Sequence, residues 1–176
     1  MTDETIASAM KAKVEYIRSH PEVARAVFKA KTRWESGTRC TAQVRNFPTL
    51  VIDEPPELGG QDAGMNPVEL LLVSLGTCQE IVYSLYAQMM GIELESVTCD
   101  VKGQLDVRGI FNIDPAIPAG FQKITFETHL KTQASHAELE QLLRTVEACC
   151  PTLDTFRRAV DVSGRVFVNG EAFQSA

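Results

Sequence analysis

An α+β fold is predicted by three features of the sequence: one long, well-capped apolar helix near its middle, alternating strand segments before and after it, and strands that come in runs rather than alternating singly with helices. The element order reads αβββ–α–ββ–αα–β, without repeats, linkers or low-complexity tracts.

The segment from Asp3 to Ser19 carries Ile6, Met10, Val14 and Ile17 at helical spacing, and His20-Pro21 ends it because the residue before proline leaves the helical region. Val27 to Trp34 alternates as a strand, Ser36-Gly37 turns the chain, and Cys40 to Val44 returns as the second strand of a hairpin. Thr49 to Asp53 is a third short strand, followed by a turn-rich loop that runs through Pro55-Pro56 and Gly59-Gly60 to Met65.

The central helix is expected from Asn66 to about Met90. Asn66 is the N-cap, Pro67 suits the first helical position, Glu69 completes a capping box, and Gly91 supplies a left-handed stop. The helix is apolar nearly all round up to Leu75, which predicts burial on several sides. Gly76 costs helix propensity there and points to close approach by another backbone. Strands follow at Val97 to Val107 and Phe121 to Lys131, with a loop from Arg108 to Gly120 between them. Ser135 and Glu138 open a helix through Ala148, Pro151 restarts a short one to about Arg158, and Val160 to Val168 closes as a strand. Six strands cannot wrap such a helix alone, so a dimer with sheets around two central helices is expected. A monomeric mass in solution would refute it.

The chain has 176 residues with 44% hydrophobic and 23% charged side chains, the profile of an ordinary globular protein. Its net charge of −6 and lack of a basic stripe exclude a nucleic-acid partner. The apolar run from Leu70 to Leu75 is too short to span a bilayer, and the N-terminus has no signal-type apolar core, so no membrane partner is expected and the compartment is read as the cytosol. There the five cysteines should rest as thiols. No CxxC pair exists, and His20, His129 and His136 are scattered without ligand spacing, so neither a metal nor a bound cofactor is expected.

Two cysteines are the candidates for chemistry. Cys150 directly precedes Pro151, at the start of a helix whose N–H groups can favour a thiolate. Cys78 lies about three turns into the central helix, where it needs an imported cation. Arg33, Arg39 and Arg45 of the first hairpin can supply one, and Arg39, beside the Ser36-Gly37 turn, is best placed. The mostly apolar surroundings of Cys78 favour a hydrophobic substrate such as an alkyl hydroperoxide, whose attack by a thiolate gives a sulfenic acid that a second thiol can condense to a disulfide. Cys150 is the natural second thiol, with the adjacent Cys149 an alternative. Cys40 and Cys99 fall on strands and read as core.

At these residues the chain resembles the OsmC/Ohr family, the osmotically inducible and organic-hydroperoxide-resistance proteins. Asn66-Pro67 with Cys78 eleven residues after the proline matches the central-helix motif, and Cys150-Pro151 matches the second. Leu50 to Gly60, Gly91-Ile92, Leu105 to Gly109 and Gly120-Phe121-Gln122 also resemble an OsmC-like branch. The likeness spans roughly residues 27 to 168. It implies an N-terminal helical extension over residues 1–22 and an OsmC-like domain over 23–176, in an intertwined homodimer with its sites at the interface. It further implies a peroxidatic Cys78, a resolving Cys150, Arg39 as the hairpin arginine with Arg33 as the alternative, an organic hydroperoxide substrate, and an external dithiol reductant, a role that lipoylated proteins fill for the Ohr branch. One position departs. Where the hydroperoxide-resistance branch has glutamate after the helix proline, this chain has Val68, and Glu69 follows one place later. Glu69 is the remaining carboxylate candidate for the site. At about 100° per residue, however, it faces away from Cys78 and suits the cap instead. The alternative function is a dimeric, non-catalytic protein that binds a hydrophobic ligand in the same pocket.

Overall fold

The computed structural model describes residues 3–173, so the outer ends of both expected domain ranges, residues 1–2 and 174–176, lie outside the described residues. The elements are α1 (Asp3–Ser19), β1 (Lys31–Ser36), β2 (Arg39–Gln43), β3 (Leu50–Ile52), α2 (Pro67–Met90), β4 (Leu94–Gln104), α3 (Val107–Ile110), β5 (Lys123–Thr132), α4 (His136–Cys149), α5 (Pro151–Arg157), β6 (Val166–Val168) and β7 (Glu171–Phe173). Short 3-10 turns occupy Pro21–Ala24 and Pro56–Leu58.

The central helix starts and stops where its caps dictate. The Glu69 N–H donates to Asn66 Oδ1 at 2.9 Å, and the Asn66 N–H donates to Glu69 Oε2 at 2.9 Å, so both halves of the capping box are made. Gly91 ends the helix at φ 75°, a conformation that a side chain would strain. Ser135 and Glu138 repeat the box at α4.

The core lies on one side of α2. Leu75, Val82, Tyr83 and Ala87 meet Ile92, Leu142 and Val146 of α4, Cys150, and Leu153 of α5, with Val97, Val101, Ile124 and Phe126 of the β4–β5 ribbon packed against them. Gly76 sits where β4 crosses. A methyl there would come 3.2 Å from Val101 Cγ2 and 3.5 Å from the Cys99 carbonyl, so the close approach expected at this glycine is real. By length and composition α2 could cross a membrane, but its buried face forms this core.

The opposite side of α2 is covered only in part, by α1, whose Ile6 lies near Ile81, Ser84 and Leu85. Val73 and Ile81 are exposed there, Ile81 by 64%. The antiparallel sheet β1-β2-β3 and the hairpin β6-β7 are likewise unsupported, with Trp34 67% exposed and Phe167, Val168 and Phe173 uncovered.

Several boundaries differ from expectation, some through pairing register and some through local caps and turns. Residues 27–30 are extended but unpaired, because the partner strand ends at Gln43 opposite Lys31. The fourth strand runs from Leu94 to Gln104 rather than Val97 to Val107, since its pairing with β5 ends at Gln104 opposite Lys123. The expected loop after Arg108 begins instead as the short helix α3, capped by Asp106, whose side chain accepts the Arg108 N–H at 3.0 Å. The last expected strand shrinks to Val166–Val168 and turns through Asn169 and Gly170, both at positive φ, into the unexpected β7.

Candidate functional site

Cys78 and Cys150, 72 residues apart in sequence, come together. Their Sγ atoms are 3.4 Å apart, and both are free thiols. α2 carries Cys78 into the core face one turn after Leu75, and the break between α4 and α5 delivers Cys150. That break is made by Pro151, which cannot continue α4 but suits the first position of α5.

The two thiols differ in access. Cys150 is 0% exposed and Cys78 is half-buried. They also differ in electrostatics. Burial opposes ionisation of Cys150, but the Leu153 N–H, the Thr152 hydroxyl, the Cys78 thiol and the Gln79 amide together outweigh it and hold the Cys150 thiol below its ordinary range. Thr152 Oγ1 lies 3.5 Å from Cys150 Sγ and 3.5 Å from the Ser74 carbonyl oxygen, so its one hydroxyl proton serves either acceptor and links α5 to α2 beside the pair. Cys150 makes no full side-chain capping bond to α5. With only seven residues in that helix, the help comes from an individual N–H group rather than from a macrodipole.

The remaining candidates sit elsewhere in the chain. Neither sulfur finds a hydrogen-bond partner in the sheet that carries the hairpin arginines. Arg39 opens β2 and lines a pocket of about 150 Å³ with Thr38, Asp53 and Gln61. Asp53 accepts the Thr38 hydroxyl at 2.7 Å and the Gln61 N–H at 3.0 Å, which orders the loop beneath Arg39. Arg45 stacks on Phe47, 4.4 Å from the ring centroid, and Arg33 lies on β1. Glu69 is occupied by the capping box. Among the described residues no cluster of three or more His, Cys, Asp or Glu side chains could hold a metal ion.

Cys99, read from sequence as core, lies half-buried on β4, where it accepts the Thr128 hydroxyl at 3.6 Å. Burial, with the Glu80 and Asp100 carboxylates, keeps its thiol above the ordinary range despite that bond. Cys149 is exposed. Two groups at the thiols were not singled out in the sequence, Gln79 and Thr152. Their only signal was adjacency, one residue after Cys78 and two after Cys150.

A groove of about 460 Å³ is lined by Leu71, Leu75, Phe121, Phe126, Leu153 and Phe156, with Lys123 and Arg157 also in its wall, and neither cysteine is among its lining residues. Leu75 and Leu153 each stand one helical turn from a cysteine, which sets the groove one turn from the thiols.

Fold and site together define an α+β protein with an apposed thiol pair in the core beneath its central helix. The chain belongs to the OsmC-like protein family, whose model matches residues 59–164. No curated relative matches it. Among solved structures it resembles an OsmC-like protein from Mycoplasma pneumoniae at 18% identity and TM-score 0.64, over 75% of this chain and 88% of that one. An organic hydroperoxide resistance protein OsmC from Legionella pneumophila aligns at 23% identity and TM-score 0.56, over 76% and 92% of the two chains. An organic hydroperoxide resistance protein from Elizabethkingia anophelis, with thiocyanate bound, aligns at 19% and 0.54, over 76% and 91%. At these identities the likeness establishes the fold.

Proposed function

We propose that this chain is a thiol-dependent peroxidase that reduces organic hydroperoxides through Cys78 and Cys150. The observation that carries the reading is the 3.4 Å sulfur separation combined with unequal access, Cys78 half-buried and Cys150 wholly buried. A peroxide reaches Cys78 first. The Cys78 thiolate attacks the distal peroxide oxygen, the O–O bond breaks, and the alkoxide leaves with a proton as alcohol, giving a sulfenic acid. The Cys150 thiolate then attacks the Cys78 sulfur, the S–OH bond breaks, and the hydroxyl leaves with a proton as water. A disulfide needs about 2.05 Å, so an approach of about 1.4 Å joins the sulfurs. An external dithiol, itself oxidised to a disulfide, restores both thiols. The apolar groove with its three phenylalanines supports an organic over an inorganic peroxide.

The cation that Cys78 requires is assigned to the hairpin, first to Arg39, and it reaches the site in a homodimer. The part of α2 left exposed and the two unsupported sheets support such an assembly, because a second copy offers the apolar cover that each lacks. The reading includes a cytosolic setting and the division at residue 22 between the added helix and the family domain. Sedimentation equilibrium of the reduced protein is expected to give twice the 19.4 kDa chain mass, and a monomer at micromolar concentration would remove this part of the proposal.

Stopped-flow mixing of reduced protein with cumene hydroperoxide and with hydrogen peroxide, followed by mass spectrometry, tests the chemistry. The organic peroxide should react faster and leave a Cys78–Cys150 disulfide. The Cys150→Ser variant should stop after one turnover with Cys78 trapped as sulfenic acid.

A second reading, binding of a hydrophobic ligand without turnover, is favoured by one observation. Glu69, the carboxylate nearest in sequence to the family's glutamate, is locked in the cap, and Val68 holds the neighbouring place. Slow oxidation without preference between the two peroxides would favour it.

A further inference from the structure

Gln79 is the one polar side chain of α2 buried to 1% exposure, and its Nε2 meets no acceptor at hydrogen-bonding geometry. An amide donor sealed in a core without a partner loses its hydration and gains nothing in return. Glutamine at this point of an otherwise apolar face therefore calls for a reason. The residue follows Cys78 directly, the sulfur that stands 3.4 Å from Cys150, and its amide is among the groups that lower the pKa of Cys150. Neutral thiols are weak acceptors, whereas a thiolate is a strong one. The donor is thus under-used while Cys150 is protonated and gains a full charge-assisted bond once it ionises.

We propose that Gln79 is a positioning residue for the buried thiol: its amide nitrogen is a preplaced donor that stabilises the thiolate of Cys150 and so sets the readiness of this sulfur to close the disulfide. The inference deepens the thiol chemistry proposed above and rests on it for its role, though not for its test. Three observations support it independently of the peroxide reaction. Cys150 is fully buried and lacks water to stabilise its charge. Among the described residues no lysine or arginine hydrogen-bonds to its sulfur, whose side-chain partners, at 3.4 and 3.5 Å, are Cys78 and Thr152. The titratable groups facing it are other thiols, Cys78 of α2 at 3.4 Å and Cys99 of β4, and neither brings a positive charge. Neutral groups must then do the work: the Leu153 N–H, the Thr152 hydroxyl, the Cys78 thiol and the Gln79 amide. Apart from the Cys78 thiol itself, only the Gln79 amide comes from α2, the helix that bears the other cysteine.

The test is a titration of reduced protein labelled at cysteine 13Cβ, with Cys150 assigned through Cys150→Ser. In Gln79→Met, which keeps the length and removes the donor, the Cys150 pKa should rise by about one unit, a tenfold loss of thiolate at a given pH. A rise smaller than about half a unit would overturn the proposal. If Gln79→Met does not fold, the unmodified protein still decides the matter. The Gln79 side-chain amide resonances should shift with the Cys150 titration, and this shift should vanish in Cys150→Ser. Gln79 resonances that ignore the titration would overturn the proposal. Because no peroxide is used, the donor role and the peroxidase reading can fail separately.

Discussion

A Cys78→Ser variant is expected to consume organic hydroperoxide no faster than buffer. A serine hydroxyl is not ionised at neutral pH and cannot carry the oxygen of a sulfenic acid, so the first step has no acceptor. The other cysteines cannot take its place. Cys150 is sealed from solvent, and Cys99 is held protonated by burial and by the Glu80 and Asp100 carboxylates. Cys149 is exposed but sits outside the apposed pair. Coupled turnover with a dithiol reductant measures this directly, and a rate near that of the unaltered protein would refute the proposed mechanism. The serine should leave the fold intact, since it differs from cysteine by one atom in a half-buried position.

Leu142→Ala is expected to be the most destabilising of the simple core truncations. Leu142 is 0% exposed in α4, packed in one cluster with Val146, Cys150, Leu153 and Leu75. Removing its isobutyl group loses the transfer energy and leaves a cavity that α4 cannot collapse to fill, a cost of about 2–5 kcal/mol. Urea denaturation should show the lowered midpoint, and a change under about 1 kcal/mol would mean that the α4–α2 contact is not a main support of the fold. Leu142 stands two helical turns before Cys150 on the helix whose end carries that cysteine. Disulfide closure in the surviving folded protein should therefore slow as well, because the 3.4 Å approach of the sulfurs depends on where α4 ends.

Much of this was legible in the chain. The ends of α2 and α4 were specified by Asn66, Glu69 and Gly91, and by Ser135 and Glu138, because capping is a local contest among neighbouring polar groups. The break before α5 followed from Pro151. The hairpin β6-β7 was legible too, through Asn169-Gly170, but reading Val160 to Val168 as one strand hid it. Strand ends were harder. Lys31 and Gln104 are terminal because of where Gln43 and Lys123 lie opposite them, and pairing register is not a local property.

The sequence by itself determined the α+β class, the long capped helix, the glycine at its crossing point and the two thiols suited to chemistry. It also marked Glu69 as a cap, since the angular separation of nine helical residues is fixed by geometry alone. Tertiary structure decided three further matters: that the sulfurs stand 3.4 Å apart, that Cys150 is the sealed member, and that Gln79 lies buried beside it without an acceptor. The reason is the same in each case. Burial, and contact across 72 residues, depend on how α2, α4 and β4 pack together, and no local pattern of side chains encodes a distance between elements.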